Sequence, residues 1–347
     1  MVEKRKSILN ILVIILLALI VVVILFWIMP KPLNEGNGFT RILFSDYLKA
    51  KSVQGKPNDV THIAGFTNDS IYFQSNRADK LYSSTLKLEG FNHRTLKLSV
   101  NDTLTSLFRI QVLFPYLYIY GSNVPTIIRY DLQNDTCWSR PMQSPFIRAV
   151  NISANTFVVR GVAENQSWHV FKNISLSDNQ EKISDSGNWD GSNGVIKTDG
   201  LLYYDTATQN LCYTFFYQNG FLCMDTTLQN TVLHKTIDNV ITNRSTVAHV
   251  SSTYTLSSAP QIVSYEGCVY NGILFLQSAV KGDNERSDIF NRNSVIDVYR
   301  LKNGKYIGSF YIPPFKNEKA LKFRRYQDIL LVLYKSNVVA YSLTKEI

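Results

Sequence analysis

The sequence is poor in cysteine, with four in 347 residues. They lie at Cys137, Cys212, Cys223 and Cys268. So few cysteines do not build a disulfide scaffold, and without a Cys-x-x-Cys motif neither a redox pair nor a cysteine zinc site is indicated. Cys212 and Cys223 flank the hairpin turn Asn219-Gly220. If those two turn residues form the whole loop, Cys223 faces Phe216, and a disulfide to Cys212 requires a shifted register. The sequence leaves the disulfide state open.

Local motifs of catalysis and phosphate binding are also missing. The sequence contains no G-x-S-x-G nucleophile elbow, P-loop, G-x-G-x-x-G or H-E-x-x-H motif. The histidines are separated along the chain, and we interpret them as structural or surface residues. They are His62, His93, His169, His234 and His249. The sequence therefore predicts no catalytic, cofactor-binding or metal-binding residue, although residues from distant segments could still converge in space.

The sequence has no long run of like charge, although its net charge is +9. Nucleic-acid-binding proteins gather Lys and Arg in a stripe, whereas here basic residues alternate with acidic ones. The densest basic cluster is short, and we interpret it as a solvated strand and loop. It comprises Lys319, Lys322, Arg324 and Arg325. No nucleic-acid partner is expected.

One long apolar run is present near the N-terminus. Ile11–Met29 contains nineteen residues without a polar side chain, and extension back to Ile8 gives 22 residues. A helix of that length measures roughly 33 Å and crosses a bilayer. A cleaved signal peptide, which is the alternative, would have a shorter apolar core and a small-residue cleavage site. The run therefore predicts an uncleaved transmembrane signal-anchor.

Charged and aromatic residues at the two ends of this run predict its orientation. Lys4, Arg5 and Lys6 precede it, and the positive-inside rule places them in the cytoplasm. Trp27 would lie at the opposite interface. We predict a cytoplasmic N-terminus at 1–7, a transmembrane segment at 8–29, a linker at 30–39 and an extracytoplasmic domain at 40–347. The protein would be a single-pass cytoplasmic (inner) membrane protein, with a periplasmic domain in a Gram-negative cell.

The stretch Val295–Pro313 predicts a β-hairpin around Asn303-Gly304, because Asn-Gly is a strong two-residue turn signal. Both alternating faces of its first strand are apolar, so we expect both faces to be covered. Short echoes of that strand recur along the chain, 48, 41, 53, 75 and 42 residues apart. They centre on Tyr82, Tyr130, Phe171, Met224, Tyr299 and Tyr341.

The intervals between these echoes fit propeller blades, which take about 40–50 residues each. The 75-residue interval fits an insertion at Thr226–Ser258 or a degenerate seventh blade. The last unit is one strand short, so ring closure would borrow a strand from near Thr40–Phe44 or just after it. Short helical turns are possible at Phe44–Lys51 and Thr103–Phe108. The predicted fold is an all-β, six-bladed β-propeller, with seven blades possible, behind a single transmembrane helix.

Two acidic, glycine-containing stretches resemble calcium loops in composition. Aligned with an EF-hand loop, Asp185–Gly194 has Ser186 at the first ligand position and Lys197 at the twelfth, where carboxylates are needed. Gly282–Asp288 is similarly acidic. We interpret both stretches as turns between blades.

The hairpin sequence VIDVYRL-KNG-KYIGSFYIP resembles the six-bladed, TolB-like propellers that occur as membrane-anchored or exported proteins in Bacteroidota-type bacteria. The resemblance is specific over this hairpin and compatible with residues 40–347. It implies an extracytoplasmic propeller and no particular reaction, because propellers host binding proteins and enzymes alike.

Two functions remain compatible with this fold. In the first, a membrane-tethered propeller binds a protein, peptide or glycan on one face, without catalysis or a cofactor. In the second, it is an enzyme, a quinoprotein-like dehydrogenase or a hydrolase with an axial active site. An enzyme should bring carboxylates or histidines from several blades together at the axis. The lack of a local motif favours the binding module.

Overall fold

Six four-stranded antiparallel sheets follow one another along the chain as the blades of a propeller. In the computed structural model the described residues are 10, 12–21, 36–98, 108–121, 126–142, 145–162, 169–177, 181–183, 198–240, 247–250, 253–256 and 261–344. The first strand, β1, spans Leu48–Gly55. Blade one contains β2 (Val60–Phe66), β3 (Ser70–Ser75), β4 (Lys80–Thr85) and β5 (Asn92–Thr95). Blade two contains β6 (Phe108–Leu113), β7 (Tyr116–Gly121), β8 (Thr126–Asp131) and β9 (Thr136–Pro141).

The remaining blades repeat this order. Blade three contains β10 (Phe146–Ser153), β11 (Thr156–Val162), β12 (His169–Ser175) and β13 (Glu181–Ile183). Blade four contains β14 (Gly200–Asp205), β15 (Asn210–Phe215), β16 (Phe221–Asp225) and β17 (Thr231–His234). A separate hairpin contains β18 (Val247–Val250) and β19 (Thr253–Leu256). Blade five contains β20 (Ser264–Tyr270), β21 (Ile273–Ser278), β22 (Ser294–Arg300) and β23 (Tyr306–Ile312). Blade six contains β24 (Lys322–Tyr326), β25 (Ile329–Leu333) and β26 (Asn337–Leu343).

The ring closes in blade six, where β1 pairs with β26 and supplies the outermost strand. This confirms the expectation that a strand from just after Thr40–Phe44 closes the ring. The helical turn proposed at Phe44–Lys51 is wrong, because residues 48–51 belong to β1, where their backbone bonds to the open edge of β26. Within Thr40–Phe44, only Leu43 forms a bridge, in parallel with Ser309 of β23. That segment therefore follows the edge of blade five without becoming a full strand.

The six sequence echoes all fall in the third strand of a blade, namely β4, β8, β12, β16, β22 and β26. The residue at the centre of each echo is buried. Six clusters of buried apolar side chains fill the interfaces between neighbouring blades. Because each blade is packed on both sides, its central strands are apolar on both faces. The expectation of two-sided cover for the Val295–Pro313 hairpin is confirmed, since Val295, Ile296 and Val298 are buried.

In the described residues, the 75-residue interval contains an insertion and no seventh blade. After β17 completes blade four, the chain forms the two-stranded sheet of β18 and β19 before it enters blade five. This connection joins the outermost strand of one blade to the first strand of the next.

The described part of the predicted transmembrane segment is a helix, α1, at residues 12–21. Among the described residues, no helix is both long and apolar enough to cross a membrane. The topology residues Lys4, Arg5, Lys6 and Trp27 lie outside that part of the chain. The structure therefore describes only a portion of the predicted anchor.

Arg41 attaches the segment that precedes β1 to blade five. Its guanidinium binds Asp297 through Nε at 2.7 Å and Nη2 at 3.0 Å, and it also pairs with Glu285. Nη2 donates to the Ser278 hydroxyl at 2.8 Å as well. Burial opposes the charged form, but Asp297 and Glu285 raise the pKa of Arg41 above its ordinary value. A buried charge of this kind is stable only when it is fully paired and hydrogen-bonded.

The stretch Gly282–Asp288 lies inside blade five, where it follows β21 and ends in the first turn of a short helix, α2 (Ser287–Arg292), that precedes β22. Its interpretation as a turn between blades is therefore wrong. The acidic side chains bind protein groups: Glu285 pairs with Arg41, and Asp283 accepts from the Gly38 backbone N–H at 3.0 Å. The other calcium-like stretch, Asp185–Gly194, lies outside the described residues.

Cys212 and Cys223 are direct cross-strand partners in β15 and β16. The expected pairing of Cys223 with Phe216 is wrong, because the loop between these strands comprises residues 216–220 and not only Asn219-Gly220. Both cysteines are free thiols. Burial, followed by the neighbouring Cys223, raises the pKa of Cys212 well above its ordinary value. The two thiols face each other although no bond joins them.

Candidate functional site

The first strands of all six blades surround a cavity of about 550 Å³ at the propeller axis. These inner strands are β2, β6, β10, β14, β20 and β24. They run side by side around the axis, and each contributes residues to the cavity wall. We call this cavity the axial channel. The channel brings together residues that are up to about 260 positions apart in the sequence, from His62 to Arg324.

Basic side chains dominate the charged residues of the axial channel. Arg109 and Arg148 come from blades two and three, and Lys322 and Arg324 come from blade six. Among the described residues that line the channel, Glu266 is the sole carboxylate. Arg325 also contributes to the wall, but its guanidinium lies 5.1 Å from the ring centres of Tyr270 and Phe275. The channel therefore has a positive electrostatic character.

Lys322 and Arg324 both form ion pairs with Glu266. The Lys322 ammonium pairs with one carboxylate oxygen, and Arg324 Nη1 lies 3.2 Å from the other. Arg324 also donates to the Gly267 carbonyl at 2.7 Å. Burial opposes the charged form of Arg324, but Glu266 raises its pKa above the ordinary value. This is a three-residue ion cluster with both carboxylate oxygens in use.

The interpretation of the basic cluster as a solvated strand and loop is wrong for two of its members. Lys322 and Arg324 line the axial channel, while Phe323 between them is fully buried among neighbouring blades. Side chains alternate between the two faces of a strand, and β24 is the innermost strand of its blade. The sequence signal for this was a single apolar residue between basic ones. That pattern does not reveal which strand is innermost.

Arg148 of blade three contacts residues at the start of blade four and in its β15–β16 loop. Its Nη2 lies 3.1 Å from Asp199, and its Nε donates to the Gly200 carbonyl at 2.6 Å. Its guanidinium carbon lies 5.9 Å from the centre of the Phe216 ring, a cation–π contact. These bonds hold the side chain across the interface between blades three and four.

Arg109 has no carboxylate partner among the described residues. Its guanidinium Nη1 lies 3.4 Å from Nδ1 of His62. Its cross-strand neighbour is Tyr120 of β7. Burial lowers the pKa of Arg109 below its ordinary value; Tyr120 and Glu266 oppose this shift, and Arg148 and Arg324 add to it. Arg109 therefore differs from Arg148, Lys322 and Arg324, each of which pairs with a carboxylate.

The pKa of His62 is affected by the positive charges in the axial channel. Burial lowers the pKa of His62 to about 2, and Arg109, Lys322 and Arg324 each contribute to the shift. A neutral imidazole can accept a hydrogen bond from Arg109 through Nδ1 in the tautomer that carries its proton on Nε2. His62 therefore lines the axial channel beside Arg109, a position that its sequence context did not indicate.

Aromatic side chains complete the wall. Tyr265 of β20 lines the axial channel with 50% of its surface exposed. Tyr120 lines it next to Arg109, and burial raises the pKa of Tyr120 to about 12, so its hydroxyl keeps its proton. Phe216 lies in the loop before β16 and contacts Arg148. The channel therefore offers an exposed ring, a hydroxyl donor and several cationic donors.

The donor set of the channel is mainly cationic, and its described wall holds few carboxylates. Glycoside hydrolysis by a carboxylate pair requires two acidic residues facing the substrate. Within the described channel wall, the one carboxylate is Glu266, and two cations occupy its oxygens. The described residues also contain no group of three or more side chains that could hold a metal ion. Neither observation supports a specific reaction.

Comparison with known proteins places the chain by fold alone. No protein-family model matches it, and no curated protein matches it. A crystal structure of a DUF4221-family member from Bacteroides vulgatus is similar over 88% of this chain and 96% of that chain, with a TM-score of 0.54 and 10% sequence identity. A protein from Bacteroides fragilis, described as exported, is similar over 88% of this chain and 99% of its own, with a TM-score of 0.54 and 9% identity.

These likenesses agree with the expected relation to propellers of Bacteroidota-type bacteria. At such low identity they establish the six-bladed fold and no common function. The narrower assignment to TolB-like proteins remains a prediction from the hairpin sequence.

Proposed function

We propose that this chain is an extracytoplasmic binding module, tethered to the cytoplasmic membrane, that binds part of a protein, peptide or glycan in its axial channel. The observation that carries this proposal is the cavity itself, about 550 Å³ in volume and lined by all six blades. Cavities of roughly 300–1,000 Å³ are those that hold small ligands in proteins. A binding role needs no catalytic group, and the wall supplies ring faces and hydrogen-bond donors.

The exposed ring of Tyr265 supports binding of a sugar or a side chain at the channel. An aromatic ring that is half exposed in a polar cavity offers a flat apolar face with a hydroxyl at its edge. Such rings contribute large contact area at a low cost in conformational entropy. Replacement of Tyr265 should therefore weaken the binding of a ligand that enters the channel.

The location rests on the N-terminal sequence. The apolar run Ile8–Met29, preceded by Lys4, Arg5 and Lys6, has the length and flanking charge of a signal-anchor. One solved relative of the same fold is described as exported. Residues 36–44 run along blade five, so an anchor would reach the propeller at that blade. TolB-like propellers of the kind that the hairpin resembles are also exported or membrane-anchored.

A direct test is to probe arrays of oligosaccharides and peptides with the full-length protein in detergent micelles. We expect at least one class of ligand to bind, and Tyr265→Ala to weaken that binding roughly three- to tenfold, as loss of one stacking contact does. Trp138→Ala is the matched control, because Trp138 is 38% exposed on β9, the outer strand of blade two. Absence of any ligand, or equal loss in both variants, would contradict channel binding.

A further inference from the structure

We propose that the axial channel recognises an oxyanion, a carboxylate or a phosphate, and that Arg109 is the residue that binds it. This inference rests on the proposed function, since it names the chemistry of a ligand for the same channel. It makes the ligand an acidic peptide, glycan or small molecule instead of a neutral or basic one.

The first step is that three of the five channel cations already have carboxylate partners, and a fourth, Arg325, lies over the rings of Tyr270 and Phe275. Lys322 and Arg324 share Glu266, and Arg148 contacts Asp199. Arg109 differs, because among the described residues its one side-chain hydrogen-bond contact is with the neutral ring of His62. Unpaired arginines are costly inside a protein unless solvent or a ligand satisfies their five N–H donors. Arg109 keeps most of its donors free inside the channel.

The second step is the charge balance. Five cations line the channel, with Arg325 as the fifth, and Glu266 and Asp199 are the carboxylates that contact them. An excess of three positive charges remains in a cavity that is partly shielded from bulk water. Electrostatic attraction is stronger in such a cavity than on an open surface, because the effective dielectric constant is lower. A ligand with one or two negative charges would reduce this excess.

The third step is the arrangement of further donors beside Arg109. Tyr120 lies directly across from Arg109 in the β6–β7 pair, so both side chains project from the same face of the blade. Its hydroxyl stays protonated, because burial raises its pKa to about 12. A guanidinium fork binds carboxylate and phosphate oxygens in a bidentate manner, which Lys does not match. Arg109 and Tyr120 together therefore provide a fork and an additional O–H donor.

His62 explains why Arg109 can be held without a carboxylate. Its ring stays uncharged across the physiological range, since burial and the nearby cations lower its pKa to about 2. A neutral Nδ1 orients one N–H of Arg109 without cancelling its charge. We therefore assign His62 as a positioning residue, which leaves the positive charge of Arg109 available to a ligand.

The test is isothermal titration of the full-length protein in detergent micelles at low ionic strength, with inorganic phosphate in one arm and malonate in the other. We expect Arg109→Gln to weaken binding at least about tenfold, as loss of a hydrogen bond to a charged group does. Arg109→Lys should recover only part of the loss, because it keeps the charge without the fork. Arg286→Gln is the matched control, since Arg286 has a side chain 79% exposed on the outside of blade five.

Binding in either arm that is lost in Arg109→Gln and kept in Arg286→Gln supports the proposal, and the tighter arm identifies phosphate or carboxylate as the source. Equal weakening in both variants would mean non-specific attraction to a basic protein, and it would overturn the proposal. No binding of either anion to the wild-type protein would overturn it as well. A neutral oligosaccharide that binds in a Tyr265-dependent manner would then still support the proposed function, so the two failures are distinguishable.

Discussion

Two arginines show how the same side chain lies in two different environments in this protein. Arg41 makes hydrogen bonds to Asp297, Glu285 and Ser278, so its charge is fully used in holding the N-terminal segment to blade five. Arg109 has no carboxylate partner within the described part of the chain and contacts a neutral histidine. Charges that a fold leaves unpaired inside a cavity are frequent at functional sites. The contrast between these residues is the reason for proposing a function for the channel and a structural role for the Arg41 cluster.

At the residue scale, His62 should make the protein less stable in acid. Its folded pKa is about 2, below the ordinary value of 6.5, so between these values the unfolded chain binds a proton that the folded chain does not. Stability therefore falls as the pH falls below about 6.5, by up to about 1.4 kcal/mol per pH unit. We expect His62→Asn to flatten this dependence, as measured by the melting temperature between pH 7 and pH 4.

His93→Asn is the control for that experiment, because His93 is exposed on the outer strand β5 and keeps its solvent on folding. Its melting temperature should follow the wild-type dependence on pH. The assignment of His62 would be wrong if both variants kept the same slope as the wild-type protein.

At the scale of the strand, the position of an element within its blade decides the role of its side chains. β24 carries Lys322 and Arg324 into the axial channel because it is the innermost strand, whereas an identical pattern on an outer strand would face solvent. The pairing of Cys212 with Cys223 has a similar origin. A five-residue loop at 216–220, in place of a two-residue turn, sets the register that brings the thiols together. The length of a loop thus decides which residues of the two adjoining strands face each other, even several positions away from the loop.

The close pairing of β14 and β15 depends on a glycine at the start of β14. A Cβ at Gly200 would lie 1.9 Å from the Thr214 carbonyl oxygen of the neighbouring strand. We expect Gly200→Ala to destabilise the protein by at least about 1–3 kcal/mol, the usual cost of forcing extra volume into a packed interior. The measurement is urea unfolding followed by tyrosine and tryptophan fluorescence.

The matched control is Gly55→Ala at the end of β1, where a Cβ would meet no atom within 4 Å. Its free energy of unfolding should stay within about 0.5 kcal/mol of the wild-type value. Similar losses in the two variants would show that the close approach at Gly200 is not what limits the substitution.

At the scale of the whole molecule, closure of the ring joins the two ends of the domain. β1 comes before all six blades in sequence, yet it completes the last one by pairing with β26. Val338, Val339 and Ala340 of β26 are fully buried. Closure therefore protects a strand that would otherwise be an exposed apolar edge, which is prone to aggregation. It also places the predicted anchor just ahead of the strand that holds the ring shut.

Two truncations should separate anchoring from closure. Deletion of residues 1–30, with a cleavable signal supplied, should release a soluble and folded domain, because the predicted anchor is lost while β1 and Arg41 remain. Deletion of residues 1–55 removes β1 and should lower the melting temperature or cause aggregation. Membrane fractionation and thermal unfolding measure the two outcomes. If the protein without residues 1–30 stayed in the membrane fraction, the prediction of a single anchor would be contradicted. If the two deletion variants had equal melting temperatures, the role of β1 in ring closure would be contradicted.

The prediction of the fold succeeded where a local pattern repeats. The six echoes, five centred on an aromatic residue and one on Met224, all fall in the third strand of a blade, because that strand is packed on both faces and its composition is constrained six times. The prediction failed at Phe44–Lys51, where a strand with mostly exposed residues has little apolar pattern of its own. Its conformation comes from the open edge of β26, which is about 290 residues away in sequence. Local propensity carries no information about such a partner.

The amino-acid sequence by itself determined the all-β class, a repeat of six or seven blades, the closing strand from the N-terminal side and the apolar run ahead of the propeller. Each follows from composition and spacing, which are local properties of a chain. Only the tertiary structure decided which residues meet at the axis. His62, Arg109, Glu266 and Arg324 come from four blades, and nothing in the residues around any one of them marks it as a channel residue. Ring closure brings them together, and burial in their shared cavity then lowers the pKa values of His62 and Arg109.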